Sequence, residues 1–469
     1  MRTRKDDTQL ARTMRTSIIE GVFAQAYSSL VTPGCVFITK FAYLLKAQPI
    51  HFSLISSIGQ FAQVFQLIGV LLSRQFTTRK RITVFTAGIG RFLTFFLGLA
   101  LVIASPTLSI WFFLALLLLS SAILSMSGNI WIAWIADSIP LSVRGRFFSV
   151  RSQILMFFGM VVGYVFSFFI DCFSASSGSV HEQFINTLHL SRWFVPENEG
   201  IGLSVVFILG TLLGMVGLIY LNRQPERPPQ PSAKANTDDL WEPLRDKNFR
   251  RLLLFGVWWM LAIGIGSPFW QPFMIGVLGM NTLEVVLYGT IQTISMLFWY
   301  RVWGKFIDRF GNKTLMKILI VLGGINPLFW LFIGPDGYGI VWLEALLSGA
   351  MWSGAGLVST NFVLAVAPRG KEQSYSGLYA AITGLAMMAT MMLSGGLYPK
   401  PMTIMGLDLT SEQVLFGLTG VCRWTAEIPL QFVHEPRGTS FRKSFYLINQ
   451  ELISRFAYLR NWIVRQWED

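Results

Sequence analysis

The sequence predicts an all-α polytopic membrane protein, with about twelve transmembrane helices arranged as two related six-helix halves. Three observations carry this expectation. Apolar runs recur from residue 17 to residue 433, and a bilayer crossing takes about 20 mostly apolar residues. Of the 469 residues, 53% are hydrophobic and only 13% charged, where an ordinary soluble domain carries about a quarter charged. Finally, the Lys and Arg residues gather in alternate connections between the runs, the sorting that keeps positive loops on one side of a membrane.

The elements follow in order. Residues 1–17 form a basic tail that lacks the apolar core and cleavage site of a signal peptide. Spans are expected near 18–39, 52–73, 82–104, 108–136, 150–170 and 201–221, then near 251–278, 283–302, 314–334, 339–366, 377–397 and 412–433. The twelfth holds Arg423, Glu427 and Pro429; the spacing of the first two predicts a local ion pair across one helical turn. Residues 18–221 and 251–433 are thus the halves. Between them, 222–250 is a linker rich in Pro and charge, too polar to bury. After them, 434–469 mixes Phe, Leu and Trp with Arg and Lys, the composition of a basic amphipathic helix lying on a membrane surface.

Charge sets the orientation. Arg74, Arg79, Lys80 and Arg81 follow span two. Arg144, Arg146 and Arg151 follow span four. Arg301, Lys305, Arg309 and Lys313 follow span eight, and Arg369 and Lys371 follow span ten. The intervening loops are poor in cations. Both termini and the linker are therefore expected in the cytoplasm, and the chain in a cell membrane; the bacterial inner membrane is what the family resemblance described below implies.

Several function classes drop out. The net charge of +13 suggests nucleic acid in a soluble protein, but here it is confined to short loops between spans. Cys35, Cys172 and Cys422 have no metal-ligand spacing, and the four histidines fall at helix ends or in loops. No metal site and no cofactor is expected. There is no nucleophile elbow, phosphate loop or pair of catalytic carboxylates, so neither an enzyme nor an ATP-driven pump is expected.

The halves echo each other. Gly69-x-x-x-Ser73-Arg74 in the second-to-third connection matches Gly304-x-x-x-Asp308-Arg309-x-Gly311-x-Lys313 in the eighth-to-ninth. Gly128 to Trp131 before Arg144 matches Gly349 to Trp352 before Arg369. Spans six and twelve both exit into Pro/Glu segments, Gln224-Pro225-Glu226 and His434-Glu435-Pro436. Agreement in order and topology favours duplication over coincidence.

The loop from Gly304 to Lys313 resembles the signature loop of the major facilitator superfamily, and twelve spans with a central linker resemble that family over nearly the whole chain. The segments around Trp134 to Phe148 and around Gly349 to Asn361 resemble a poorly characterised bacterial branch of it. The first half departs from the pattern, with Ser73 where the family often has Asp and Phe76 where it often has Gly. The resemblance implies an alternating-access secondary transporter for a small molecule. It implies gating roles for Gly304, Asp308, Arg309, Gly311 and Lys313, and Asp137, Arg144 and Arg146 are parallel latch candidates. Physically, Gly304 suits close helix approach, Gly311 a tight turn, and Asp308 charge-assisted bonds made in one conformation only. Solvated turns and simple orientation by charge account for the same residues.

The resemblance also places the substrate between the halves, against spans one, four, seven and ten. These offer Gln25 and Tyr27; Asn129, Trp131 and Trp134; Trp258, Trp270 and Gln271; and Trp352 and Asn361. Rings and amides suit a neutral polar solute such as a sugar, or an amphipathic drug-like compound. The same rings also suit interfacial anchoring or helix packing. Two interruptions at corresponding places, Thr32-Pro33-Gly34 in span one and Gly264-x-Gly266-Ser267-Pro268 in span seven, predict bending helices beside the site. Ionisable groups inside spans are Glu20, Arg91 and Glu344, the candidate coupling groups; Glu20 at the start of span one also reads as an interfacial residue, Arg91 near mid-membrane as a buried structural hydrogen-bonder, and Glu344 lies near the outer face. A single chain holding both halves is expected to act as a monomer. A non-transporting receptor or assembly factor is the alternative use of the same scaffold.

Overall fold

The computed structural model describes residues 4–75, 79–174, 179–187, 189–226, 241–335, 337–368, 371–404 and 406–435. The amphipathic segment expected over 440–469 and most of the linker lie outside them.

Span one is α1 (Arg4–Val31) continued by α2 (Val36–Leu44). Then come α3 (Pro49–Gln75), α4 (Arg79–Leu93) with a 3-10 extension (Thr94–Val102), α5 (Pro106–Ser138), α6 (Leu141–Asp171), a short α7 (Ser179–Thr187) and α8 (Glu199–Arg223). The second half opens with α9 (Lys247–Gly266), a 3-10 turn (Ser267–Phe269), α10 (Trp270–Pro272) and a π turn (Phe273–Val277). It continues with α11 (Thr282–Phe310), α12 (Asn312–Phe329), α13 (Ile340–Val366), α14 (Glu372–Gly396), α15 (Ser411–Thr425) and α16 (Glu427–Gln431). Among the described residues, nine helical stretches are long and apolar enough to span. Helices α3, α11 and α15 with α16 fill the remaining three places.

Local chemistry explains the helix ends. Asn281 accepts from the Glu284 amide at 2.9 Å while Glu284 accepts from the Asn281 amide at 2.9 Å, a capping box that starts α11. Thr410 and Gln413 repeat the device at α15. Asp246 caps α9 through the amides of Asn248 and Phe249. Two elements were not anticipated from sequence: α7, and a hairpin in which Met402–Ile404 pairs antiparallel with Leu407–Leu409. Its alternating Met-Thr-Ile and Leu-Asp-Leu strands turn beside Gly406, at φ 82°.

The pairings reveal the symmetry. In the first half α1 packs on α8 and α6, α3 on α5, and α4 on α5 and α8; in the second half α9 packs on α15 and α14, α11 on α13, and α12 on α13 and α15. Each pairing of spans in one half therefore recurs six spans later. The halves meet along α3 with α14 and α6 with α11, again a symmetric set. The sequence echoes are thus two copies of one helical unit.

Both ends of the linker, the start of α1 and residue 435 lie on one face, the terminal face, as the even number of spans requires. Toward the opposite, far face a single apolar core joins Phe37, Phe41 and Phe113 of the first half to Phe269, Phe273, Trp330 and Phe416 of the second. Toward the terminal face the core divides. One cluster is confined to residues 249–433 and two smaller ones to the first half. Among the described residues the apolar core is thus continuous across the halves toward the far face and lies in clusters within each half toward the other.

Candidate functional site

The two helix interruptions touch. In span one, Pro33 and Gly34 separate α1 from α2, with Gly34 at φ 93°. Only glycine reaches that region without strain. In span seven, a Cβ at Gly264 would stand 2.7 Å from the Met387 carbonyl oxygen, so the helix lies tight on α14 up to its break. Pro268 then lacks the amide needed to continue the ladder. The break delivers Gln271 to the interface. Its Nε2 donates to the Gly34 carbonyl at 2.8 Å, and its Oε1 accepts from Thr39 Oγ1 at 2.8 Å. Tyr43 of α2 donates to the Pro272 carbonyl at 2.8 Å.

Three cavities converge on Gln271. One of about 280 Å³ lies within the second half, lined by Trp270, Tyr288, Gln292, Glu344, Trp352 and Arg423 among others. A second, of about 390 Å³, lies between spans one, two, seven and eleven and includes Gln60 and Met391. The third, of about 340 Å³, includes Gln25, Cys35, Gly159 and Thr290. Trp270, stacked on Phe416 at 3.7 Å between ring centres, walls the first two.

In the first cavity Glu344 Oε2 accepts from the Tyr288 hydroxyl at 2.7 Å and Oε1 from Asn326 Nδ2 at 2.6 Å. Gln292 Nε2 donates to Ser348 Oγ at 2.8 Å. Arg423 turns inward, donates to the Gly323 carbonyl at 3.1 Å and lies over the Trp352 ring at 5.4 Å. The local Arg423–Glu427 pair is not formed, because α15 ends between them. Glu427 instead pairs with Lys317 of α12 at 2.9 Å.

Above the cavities, toward the far face, Asp171 at the end of α6 accepts from the amides of Thr282 and Leu283 at 2.8 Å each. A carboxylate of one half thereby caps the first helical turn of α11 in the other. Lys40 Nζ stands 2.6 Å from Glu199 and 3.8 Å from Asp171, and donates to Thr282 Oγ1 at 3.2 Å.

The expected pocket residues divide. Gln25, Trp270, Gln271 and Trp352 line cavities. Tyr27 does not; it is buried within the first half, against Ser120 and beneath Arg91. Trp134 is buried against Ala87 and Leu221, and its Nε1 reaches the Pro225 carbonyl. Trp131 is covered by the Arg151 guanidinium at 4.6 Å. Trp258 is exposed on the outside of the bundle and donates to Thr425. Asn361 bonds to Asn312 instead, at the α11–α12 turn. The Asn129 side chain lies outside the described residues.

Of the ionisable candidates, Glu344 lines one of the three cavities described, and Glu20 and Arg91 line none of those three. Glu20 is not interfacial: it is 5% exposed, 3.0 Å from Arg91 and 3.7 Å from Arg151. Arg91 also donates to the Gly214 carbonyl, 2.6 Å away, while its Nε is buried without a partner. Tyr288, Gln292, Asn326 and Arg423 were missed as cavity residues. Their polarity inside apolar spans was the available signal.

The Major Facilitator Superfamily model matches residues 190–391, a stretch that crosses the linker and carries the signature loop. The match takes in less than half of the chain, and over that stretch the chain resembles the major facilitator superfamily. Solved structures agree on the fold. A variant of the nucleoside transporter NupG superposes with TM-score 0.65 at 15% identity, covering 91% of this chain and 100% of that one. A D-xylose–proton symporter gives 0.64 at 18%, covering 92% and 99%. The xylose transporter XylE of E. coli, inward open, gives 0.59 at 15%, covering 94% and 99%. A comparison with curated proteins finds no match.

The loop that resembles the superfamily signature has a definite geometry here. Gly311 sits at φ 87° and ψ 165°, ending α11 and starting α12 in one residue. Gly304 has open space where a Cβ would stand, so the expected close helix approach does not occur there. Asp308 and Arg309 are exposed, the latter over the Phe310 ring. Lys313 donates to the carbonyls of Gln431 and Val433 at 2.9 and 2.8 Å. Glu435, unrecognised as a loop partner, caps α12 through the amides of Asn312 and Lys313 at 2.9 and 2.7 Å. In the first half Glu226 accepts from the Lys80 amide, at the matching place on α4, at 3.1 Å. The two Pro/Glu exits are therefore the same cap used twice. Arg144 bonds to the Ile139 carbonyl and Arg146 is exposed; the side chains of Ser73 and Asp137 lie outside the described residues. Gly311→Ala is expected to cost about 1–3 kcal/mol from its backbone conformation alone. A drop in melting temperature should show it, with Gly304→Ala as a control that melts like the parent.

Proposed function

We propose that this chain is a secondary transporter of the major facilitator superfamily, which binds a small, polar, net-neutral solute between its halves and carries it by alternating access. The observation that carries the reading is the bond from Gln271 to Gly34. It ties the two broken helices together where three cavities converge, and unwound helices at matching positions are where transporters of this architecture hold cargo. The neighbours' printed cargoes, a nucleoside and xylose, fit the same size and polarity. Basic connections on the terminal face support termini in the cytoplasm, in a bacterial inner membrane, and the paired halves support a monomer as the working unit. The loop residues Asp308, Arg309 and Lys313 are proposed to act as the latch on that face. A proton step, where transport is coupled, falls to Glu344.

Proteoliposome uptake tests this. Saturable uptake of a compound from a panel of sugars, nucleosides and amino acids is expected. Gln271→Ala removes two cross-half hydrogen bonds, worth about 1 kcal/mol each, along with a cavity wall, and is expected to cut that uptake roughly 10-fold or more. Unchanged uptake in Gln271→Ala would remove the junction from the mechanism.

A further inference from the structure

Two buried groups of opposite charge line one cavity without touching. Glu344 is 2% exposed and Arg423 1%, and both border the 280 Å³ space. Their charges act on each other, yet no nitrogen–oxygen pair between them comes within the 4.0 Å of an ion pair.

Each has bonding capacity left. A guanidinium offers five N–H donors. Arg423 uses one on Gly323, and its Nε is buried without a partner. A carboxylate has about four acceptor positions, of which Tyr288 and Asn326 fill two. Burying a cation and an anion apart costs stability unless each is compensated. Had these charges only to neutralise one another, direct contact would serve better. Arg423 could also have paired with Glu427, one turn along its own chain, yet it points into the bundle.

We propose that the missing compensation is the cargo: the cavity binds a small zwitterion, carboxylate on Arg423 and ammonium on Glu344. Trp270, Met274 and Met387 provide apolar wall for the rest of such a molecule. A zwitterion carries no net charge, which suits a site whose own two charges already balance. This inference rests on the transporter reading and specifies the cargo class.

The test uses the full-length purified chain in detergent and follows thermal unfolding. The probes are the common L-amino acids, each with its amide (no carboxylate) and its N-acetyl derivative (no ammonium), and with D-xylose and uridine alongside. At least one free amino acid is expected to raise the melting temperature, while its amide and N-acetyl forms do not. Arg423→Gln is expected to weaken that amino acid roughly 10- to 100-fold, and Arg423→Lys less. Derivatives that bind as well as the parent amino acid would overturn the proposal on the unaltered protein, whether or not the variants fold. Binding of xylose or uridine without any amino acid would overturn the cargo class and leave transport standing. No shift with any probe, together with no uptake, would overturn both.

Discussion

Asp171→Ala is expected to unlatch the far face. The Asp171 carboxylate, only 2% exposed, accepts two amide bonds from the opposite half at 2.8 Å. Hydrogen bonds to a charged group contribute about 1.5–3 kcal/mol each, and these form only while the far face is shut. Losing them should favour the open alternative by about 3 kcal/mol, roughly 150-fold in the ratio of states. Asp171→Asn keeps an acceptor and should shift the ratio less. Cys35 is a native reporter, since it lines a cavity beneath this seal. With Cys172 and Cys422 changed to alanine, a membrane-impermeant maleimide applied to intact cells should label Cys35 far faster in the Asp171→Ala background. Equal labelling in a variant that melts like its parent would mean that the apolar core around Phe41 and Phe273 holds the face shut alone.

What sequence made legible follows from how far each signal acts. Proline and glycine act locally, so the breaks at Pro33-Gly34 and at Gly266 to Pro268 could be placed. Span number and order followed from hydropathy, and the structure finds each helix close to its expected position. The facing of a side chain was another matter. A soluble helix marks its buried side with an apolar stripe, but a helix in lipid is apolar all round. Tyr27, Trp134 and Trp258 therefore looked equivalent to Trp270 and Trp352, though of these the last two line the three cavities described. Partners distant in sequence were also hidden. Glu435 caps a helix more than a hundred residues earlier, and the echo with Glu226 hinted at a repeat without saying what the acid binds. Arg423 and Glu427 show the reverse error, in which a good local pairing lost to better partners on α12 and α13.

Glu20→Gln is expected to destabilise the first half, and this separates a structural acid from a proton carrier. Glu20 holds Arg91 of span three and Arg151 of span five at once, and Arg151 Nε also donates to the Ser17 carbonyl, at 3.3 Å. Neutralising the acid leaves two guanidinium groups buried side by side with no anion between them. Removing one partner from a buried ionic network costs about 3–5 kcal/mol, so a clear fall in melting temperature should follow. Adding Arg91→Met removes the excess charge and should recover part of the loss, making the double variant more stable than Glu20→Gln alone. A proton carrier would behave differently: Glu20→Gln would melt like the parent and lose only the response of uptake to an imposed pH gradient. Glu344, bordering a cavity beside Tyr288, is expected to differ from Glu20 in that Glu344→Gln loses cargo binding and uptake themselves. The two acids, alike as lone carboxylates in apolar spans, should thus part company in one pair of experiments.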